Sequence, residues 1–153
     1  YEKITTHDSS LSRCIFSIVA ARLGMVDKAY AYFRETVRLD LDNLHRNTPD
    51  GIHTANMGGS YMAVVYGFGG FRLKESGFYF APVLPAAWTA YRFKLRLEGS
   101  RIAVEVNERE CVFRLESGPA IKIFVYGQEY RLTDTLTVER QATGTVLVAG
   151  KSR

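Results

Sequence analysis

Apolar residues recur at helical spacing near the start of the chain, where Leu11, Cys14, Ile15, Ile18 and Val19 form one stripe and Phe16, Ala20 and Leu23 add a second apolar side. The pattern predicts a helix entered through Ser9 or Ser10 and stopped at Gly24, greasy enough on two sides to be packed between neighbours. A second helix is predicted from Asp27, with Ala29, Tyr30, Phe33 and Val37 inward and Lys28, Arg34, Glu35 and Arg38 facing water. The two make a helical hairpin. Between Asp40 and Asn56 the periodicity fails, and Pro49 to Gly51 marks a turn. A short helix is expected from near Gly58 to Tyr66, broken by Gly67, Gly69 and Gly70.

After Phe71 the period changes to two. Tyr91, Phe93, Leu95 and Leu97 alternate with Arg92, Lys94 and Arg96, Glu98-Gly99-Ser100 makes a turn, and Ile102, Val104 and Val106 continue. Further strands are predicted at 111–115, 121–126 and 129–132, with an earlier hairpin of 71–73 and 78–80 around Ser76-Gly77. Short strands at this spacing suggest a sandwich, and helices first with strands second indicate an α+β chain with a boundary near Gly69-Gly70. Residues 133–153 offer one apolar run, Val146-Leu147-Val148, and no functional signal.

Composition narrows the functional classes. A net charge of +4 comes from 20 Lys and Arg and 16 Asp and Glu spread along the chain, without the basic block that nucleic-acid binding needs. No apolar run reaches the ~20 residues that span a bilayer. Cys14 and Cys111 stand among apolar neighbours outside any metal or redox spacing, so buried free thiols are expected, and neither metal nor cofactor. The chain opens on Tyr1 without a signal-peptide layout, and a cytoplasmic protein longer than these residues is the expectation.

Three polar clusters precede or open helices: Thr5 to Ser10, Asp50-Gly51-Ile52-His53, and Asn56-Met57-Gly58-Gly59-Ser60. His7-Asp8-Ser9-Ser10 reads first as a helix cap, because Asp and Ser accept hydrogen bonds from orphan amides. Gly58-Gly59-Ser60 reads either as close backbone packing or as an anion site in which helix-start amides and a hydroxyl meet a phosphate. His53 alone reads as a hydrogen-bonded structural histidine, and Trp88 as core rather than a sugar platform.

Taken in order, Thr6-His7-Asp8-Ser9-Ser10-Leu11-Ser12, the run from Ala29-Tyr30 to Arg38-Leu39-Asp40-Leu41-Asp42, Asp50-Gly51-Ile52-His53, Met57-Gly58-Gly59-Ser60 and Gly67-Phe68-Gly69-Gly70 resemble glycoside hydrolase family 65. The likeness continues through Phe80-Ala81-Pro82, Leu84-Pro85 and Trp88 to about residue 132. It implies the last helices of an α/α-barrel catalytic domain at 1–70, an antiparallel β-sandwich domain at 71–132, and a tail at 133–153. The family includes maltose, trehalose, kojibiose and nigerose phosphorylases, which cleave an α-glucoside with inorganic phosphate and invert the anomeric centre.

By that resemblance His53, Gly58, Gly59 and Ser60 would hold the phosphate, and His7, Asp8, Ser9 and Ser10 would border the pocket. The general acid Glu would lie upstream, leaving no catalytic residue here and the fragment inactive alone. The implied partners are an α-linked glucose disaccharide, inorganic phosphate, the missing N-terminal part of the enzyme and a possible homodimer partner, with no nucleic acid or membrane. Tyr61, Arg13 and Phe16 stand where Trp, Pro and His are usual in the family. A hydrolase of the same family and a noncatalytic carbohydrate-binding or structural module remain as alternatives.

Overall fold

The computed structural model describes Ile4 and residues 9–43, 46, 49 and 51–141. Helix α1 spans Ser12–Arg22 and α2 spans Val26–Arg38, an α-helical hairpin turned at Gly24, whose φ of 74° suits a residue without Cβ. Ser9 prepares the entry to α1: its carbonyl accepts the Ser12 amide at 3.0 Å and its Oγ the Leu11 amide at 3.3 Å. Ser17 Oγ donates to the Ala29 carbonyl at 2.8 Å inside the hairpin, and Arg13 pairs with Glu35 across it.

Only part of each apolar stripe is buried within these residues. On α1 the buried residues are Cys14, Ser17, Ile18, Ala20 and Ala21, whereas Leu11, Ile15, Val19 and Leu23 repeat every four residues on an exposed stripe. On α2, Ala29 is buried and Tyr30 and Phe33 pack inward as expected. Val37 is exposed, and Thr36 takes the inward place by donating its Oγ1 to the Tyr32 carbonyl at 2.9 Å. A hydroxyl satisfied by its own helix can be buried at little cost, which hydrophobic counting does not register.

The third helix also departs from expectation. Helix α3 spans Thr54–Met62, so it begins four residues before Gly58, and a π-helical turn, Ala63–Phe68, carries it through Gly67. The Gly69 amide reaches back five residues to the Val64 carbonyl at 2.7 Å. Gly67 lies against α1, where an added Cβ would stand 3.5 Å from the Ile18 Cα. The chain then leaves the helix at Gly70, with φ 62° and a hypothetical Cβ 2.3 Å from the Ala81 carbonyl oxygen. No side chain fits there.

Among the described residues, eight strands form two four-stranded sheets. The first contains β1 (Arg72–Lys74), β2 (Gly77–Phe80), β6 (Ile121–Val125) and β7 (Gln128–Leu132) in the order β1-β2-β6-β7. The second contains β3 (Ala90–Leu97), β4 (Ser100–Asn107), β5 (Glu110–Ser117) and β8 (Thr135–Glu139) in the order β3-β4-β5-β8. Every neighbouring pair is antiparallel except β2 with β6, a parallel pair in an otherwise antiparallel sandwich. The chain visits the second sheet between them.

Strand alternation creates the core. Ile102, Val104 and Val106 of β4, Cys111 and Phe113 of β5, and Ile123 of β6 are completely buried, and Phe93, Val104 and Phe113 are aligned across β3, β4 and β5. The hairpins 97–100 and 125–128 each close on two residues with positive φ, Glu98-Gly99 and Tyr126-Gly127, the backbone that matches the strands' own twist. Strand β8 lies within 133–153, the stretch expected to be a tail. It is an edge strand with only Leu136 and Val138 half-buried, too sparsely apolar to announce itself. Val146 to Val148, the run expected in the tail, lies outside the described residues.

Trp88 joins the helices to the sheets. Its ring meets Tyr30, Phe33 and Phe68 edge-on at centroid distances of 5.6, 5.2 and 5.0 Å and tilts against Tyr91 of β3 at 5.7 Å. The Phe68 carbonyl accepts the Tyr91 hydroxyl and the Val83 amide, both at 2.7 Å. This is core packing, and Trp88 presents no sugar platform. Both cysteines are free and buried, and burial pushes both thiols up.

Candidate functional site

The polar residues of interest gather where the end of α2 meets the start of α3. Buried Asn56, in the first turn of α3, donates its Nδ2 to the Thr36 carbonyl of α2 at 2.7 Å. Just before the helix, His53 occupies the N-cap position, and its carbonyl accepts the Asn56 and Met57 amides at 2.9 and 3.2 Å. Asp40, two residues beyond α2, takes both polar faces of His53: the ring Nδ1 lies 2.5 Å from Oδ1, and the backbone amide donates to Oδ2 at 3.0 Å. The hydrogen bond from the His53 ring, then that from its amide, holds the Asp40 carboxyl below the usual carboxylate range.

The four residues expected to hold phosphate are distributed along and around this helix. Ser60 follows His53 by seven residues, about two turns and roughly 10 Å along the axis. Its Oγ donates to the Asn56 carbonyl at 3.0 Å, which leaves the oxygen lone pairs as acceptors and the hydroxyl able to turn. Gly58 and Gly59 are the fifth and sixth residues of α3, so their amides belong to the helical ladder rather than to its open start. This corrects the expectation of helix-start amides at Gly58 and Gly59.

The glycines do separate work. A Cβ on Gly59 would lie 2.6 Å from Cys14 Sγ, so its bare Cα lets α1 and α3 touch, whereas a Cβ on Gly58 would meet nothing within 4 Å. Close contact at Gly59 brings the first turn of α1 beside α3, and with it Ser9 and Ser10 just ahead of that turn. Ser9 is exposed and Ser10 half-buried. His7, Asp8 and Asp50 lie outside the described residues. Among the described residues, no group of three His, Cys, Asp or Glu side chains converges as metal ligands would, and no helix is long and apolar enough to cross a membrane.

Pattern reading missed the partnership of Asp40 with His53. They stand 13 positions apart in the sequence, and no periodic signal links an acid after one helix to a histidine before the next. A cavity of about 790 Å³ elsewhere, bordered by Tyr126, Tyr130, Thr137 and Arg140, includes none of the expected site residues.

The helices meet in a polar junction and lean on the sandwich through Trp88. Residues 1–62 match the Glycosyl hydrolase family 65 central catalytic domain, and residues 71–132 match the Glycosyl hydrolase family 65, C-terminal domain. The chain belongs to glycosyl hydrolase family 65. It is 56% identical over 133 residues to an alpha,alpha-trehalose phosphorylase of Geobacillus stearothermophilus, covering 87% of this chain and 17% of that protein. With a maltose phosphorylase of Bacillus subtilis it shares 40% identity over 82% of this chain and 17% of the relative. A solved structure titled "Putative kojibiose phosphorylase from human microbiome" superposes with a TM-score of 0.86 at 35% identity, covering 92% of this chain and 19% of that one. The chain therefore spans about a sixth of the length of these curated relatives.

Proposed function

We propose that the intact protein is an inverting disaccharide phosphorylase that cleaves an α-glucoside with inorganic phosphate, giving β-glucose 1-phosphate and a free sugar. The observation that carries this reading is the Asp40-His53 pair at the start of α3, with Ser60 about two turns further along the same helix. Similarity to phosphorylases named for trehalose and maltose supports it. In such a reaction a carboxylic acid protonates the glycosidic oxygen while phosphate attacks the anomeric carbon from the opposite face, in place of an activated water. Phosphate must be held by preformed donors. His53 Nε2 supplies one, the Ser60 hydroxyl supplies a second by turning away from the Asn56 carbonyl, and Gly58, with no side chain on an open side of α3, leaves room for a ligand to approach.

The remaining roles follow from the family. The general acid Glu belongs to a part of the enzyme outside these residues, so the isolated chain has no phosphorolytic activity. By resemblance to the family, His7, Asp8, Ser9 and Ser10 are assigned to the border of the same pocket. The exposed stripe of Leu11, Ile15, Val19 and Leu23 packs against the rest of the barrel, and the protein works in the cytoplasm, with a homodimer as its assembled form.

Substrate-specific kinetics test the cradle. In the intact enzyme, His53→Gln and Ser60→Ala should each weaken phosphate by one to two powers of ten, because losing a hydrogen bond to a charged group costs ~1.5–3 kcal/mol. The glucoside KM should hold. A collapse of glucoside binding with untouched phosphate dependence would move these residues to the sugar site.

A further inference from the structure

The Asp40 carboxylate grips His53 at two points, ring and main chain, and its two oxygens are thereby distinguished. An ionised carboxylate only accepts, so the ring proton between them sits on Nδ1. The ring is fixed in rotation, and the nitrogen that does not face Asp40 is Nε2. For Nε2 to donate to an anion, the ring carries both protons and lies as an imidazolium between two negative groups. Such charge-assisted bonds are about twice as strong as neutral ones. The junction that sets this geometry is itself braced, since Asn56 ties the first turn of α3 to the Thr36 carbonyl in the last turn of α2.

We infer that Asp40 is the positioning residue of the anion site: it fixes the His53 ring with Nδ1–H bound to its carboxylate, so that Nε2–H is the donor presented to phosphate. The inference rests on the phosphate reading of His53 given above. Asp40 itself does not touch the substrate. The competing role is a purely structural pin between α2 and α3.

Asp40→Asn in the intact protein separates the two. The Asn oxygen can serve the His53 amide, but its NH₂ group then faces Nδ1, which must accept, so the proton moves to Nε2 and the ring becomes a neutral donor. The expected result is a phosphate KM raised about tenfold, with the glucoside KM and the kcat at saturating phosphate within about twofold of the parent. Asp40→Glu, which keeps the carboxylate, should recover part of the loss. Nitrogen-15 NMR of His53 with phosphate bound should show both ring nitrogens protonated in the parent and Nδ1 unprotonated in Asp40→Asn.

An unchanged nitrogen pattern would overturn the inference. So would a joint loss of kcat and both KM values, which marks a structural pin. If His53→Gln raises the phosphate KM while Asp40→Asn does not, positioning by Asp40 fails and the phosphate reading stands. If His53→Gln also leaves it unchanged, the phosphate reading of His53 fails and the positioning role falls with it.

Discussion

The sandwich and the helices solve burial in opposite ways. In the sandwich, large side chains such as Ile102, Phe113 and Ile123 are fully buried between the sheets. In the helical region Phe68 and Leu39 are fully buried, but the contacts of α1 with α2 and α3 are made through Ala20, Ala21, Ala29 and Gly59, while Ile15, Val19 and Leu23 are 48%, 43% and 60% exposed. Small residues bring helices close together but remove little apolar area from water. The sandwich thus buries its large apolar side chains within itself, whereas α1 leaves an apolar stripe uncovered among the described residues. The candidate chemistry sits on the less self-sufficient side, at the α2–α3 junction.

Truncating the cores should give the largest contrast. Phe113→Ala should destabilise the chain by ~3–5 kcal/mol, whereas Ile15→Ala, on the exposed stripe, should change it by less than about 0.5 kcal/mol; denaturant titration of the two variants measures the difference. A similar cost at both positions would mean that α1 buries its stripe within this chain.

The junction between the regions comes next. Gly70→Ala must hold an L-residue at φ 62° with its Cβ driven into the Ala81 backbone, and a loss of ~1–3 kcal/mol is the minimum expected from denaturant titration. Within the helices, Gly59→Ala pushes against Cys14 Sγ and should cost ~1–3 kcal/mol, with much of it returned in the Gly59→Ala, Cys14→Ala double variant. Strict additivity of the two changes would argue against direct contact.

The smallest effect is one of pH. Asp40 has its carboxyl held low in the folded chain, so its link to His53 contributes stability above the unfolded carboxylate value of about 3.9 and loses it as pH falls through the lower folded value. Hydrogen exchange at the His53 amide should accelerate across that acid window. In Asp40→Asn this part of the acid response should vanish, and a surviving response would assign it to another group.

Much of the fold was legible because periodicity reports burial. Strands β3 and β4 alternate cleanly, and both lie against one core. The same signal does not tell which of α1's two apolar sides is covered within these residues: Cys14, Ile18 and Ala20 are buried, Ile15 and Val19 exposed. It also overlooked Thr36, whose hydroxyl is satisfied locally, and β8, whose alternation includes only Leu136 and Val138. The start of α3 was set too late because Thr54 to Met57 carries no apolar stripe; its first turn is instead fixed by Asn56 to Thr36 and His53 to Asp40, bonds between residues 13 and 20 positions apart. His53 was visible as a residue. Its partner was visible only in three dimensions.

Phosphate dependence tests the account most directly. The intact protein would be incubated with α,α-trehalose, maltose or kojibiose, with and without inorganic phosphate, while glucose 1-phosphate, its anomeric form and free glucose are followed by NMR. The account predicts that cleavage of one of these α-glucosides requires phosphate and releases β-glucose 1-phosphate in step with one equivalent of free sugar. Equal cleavage without phosphate, yielding only free sugars, would contradict it and make the protein a hydrolase.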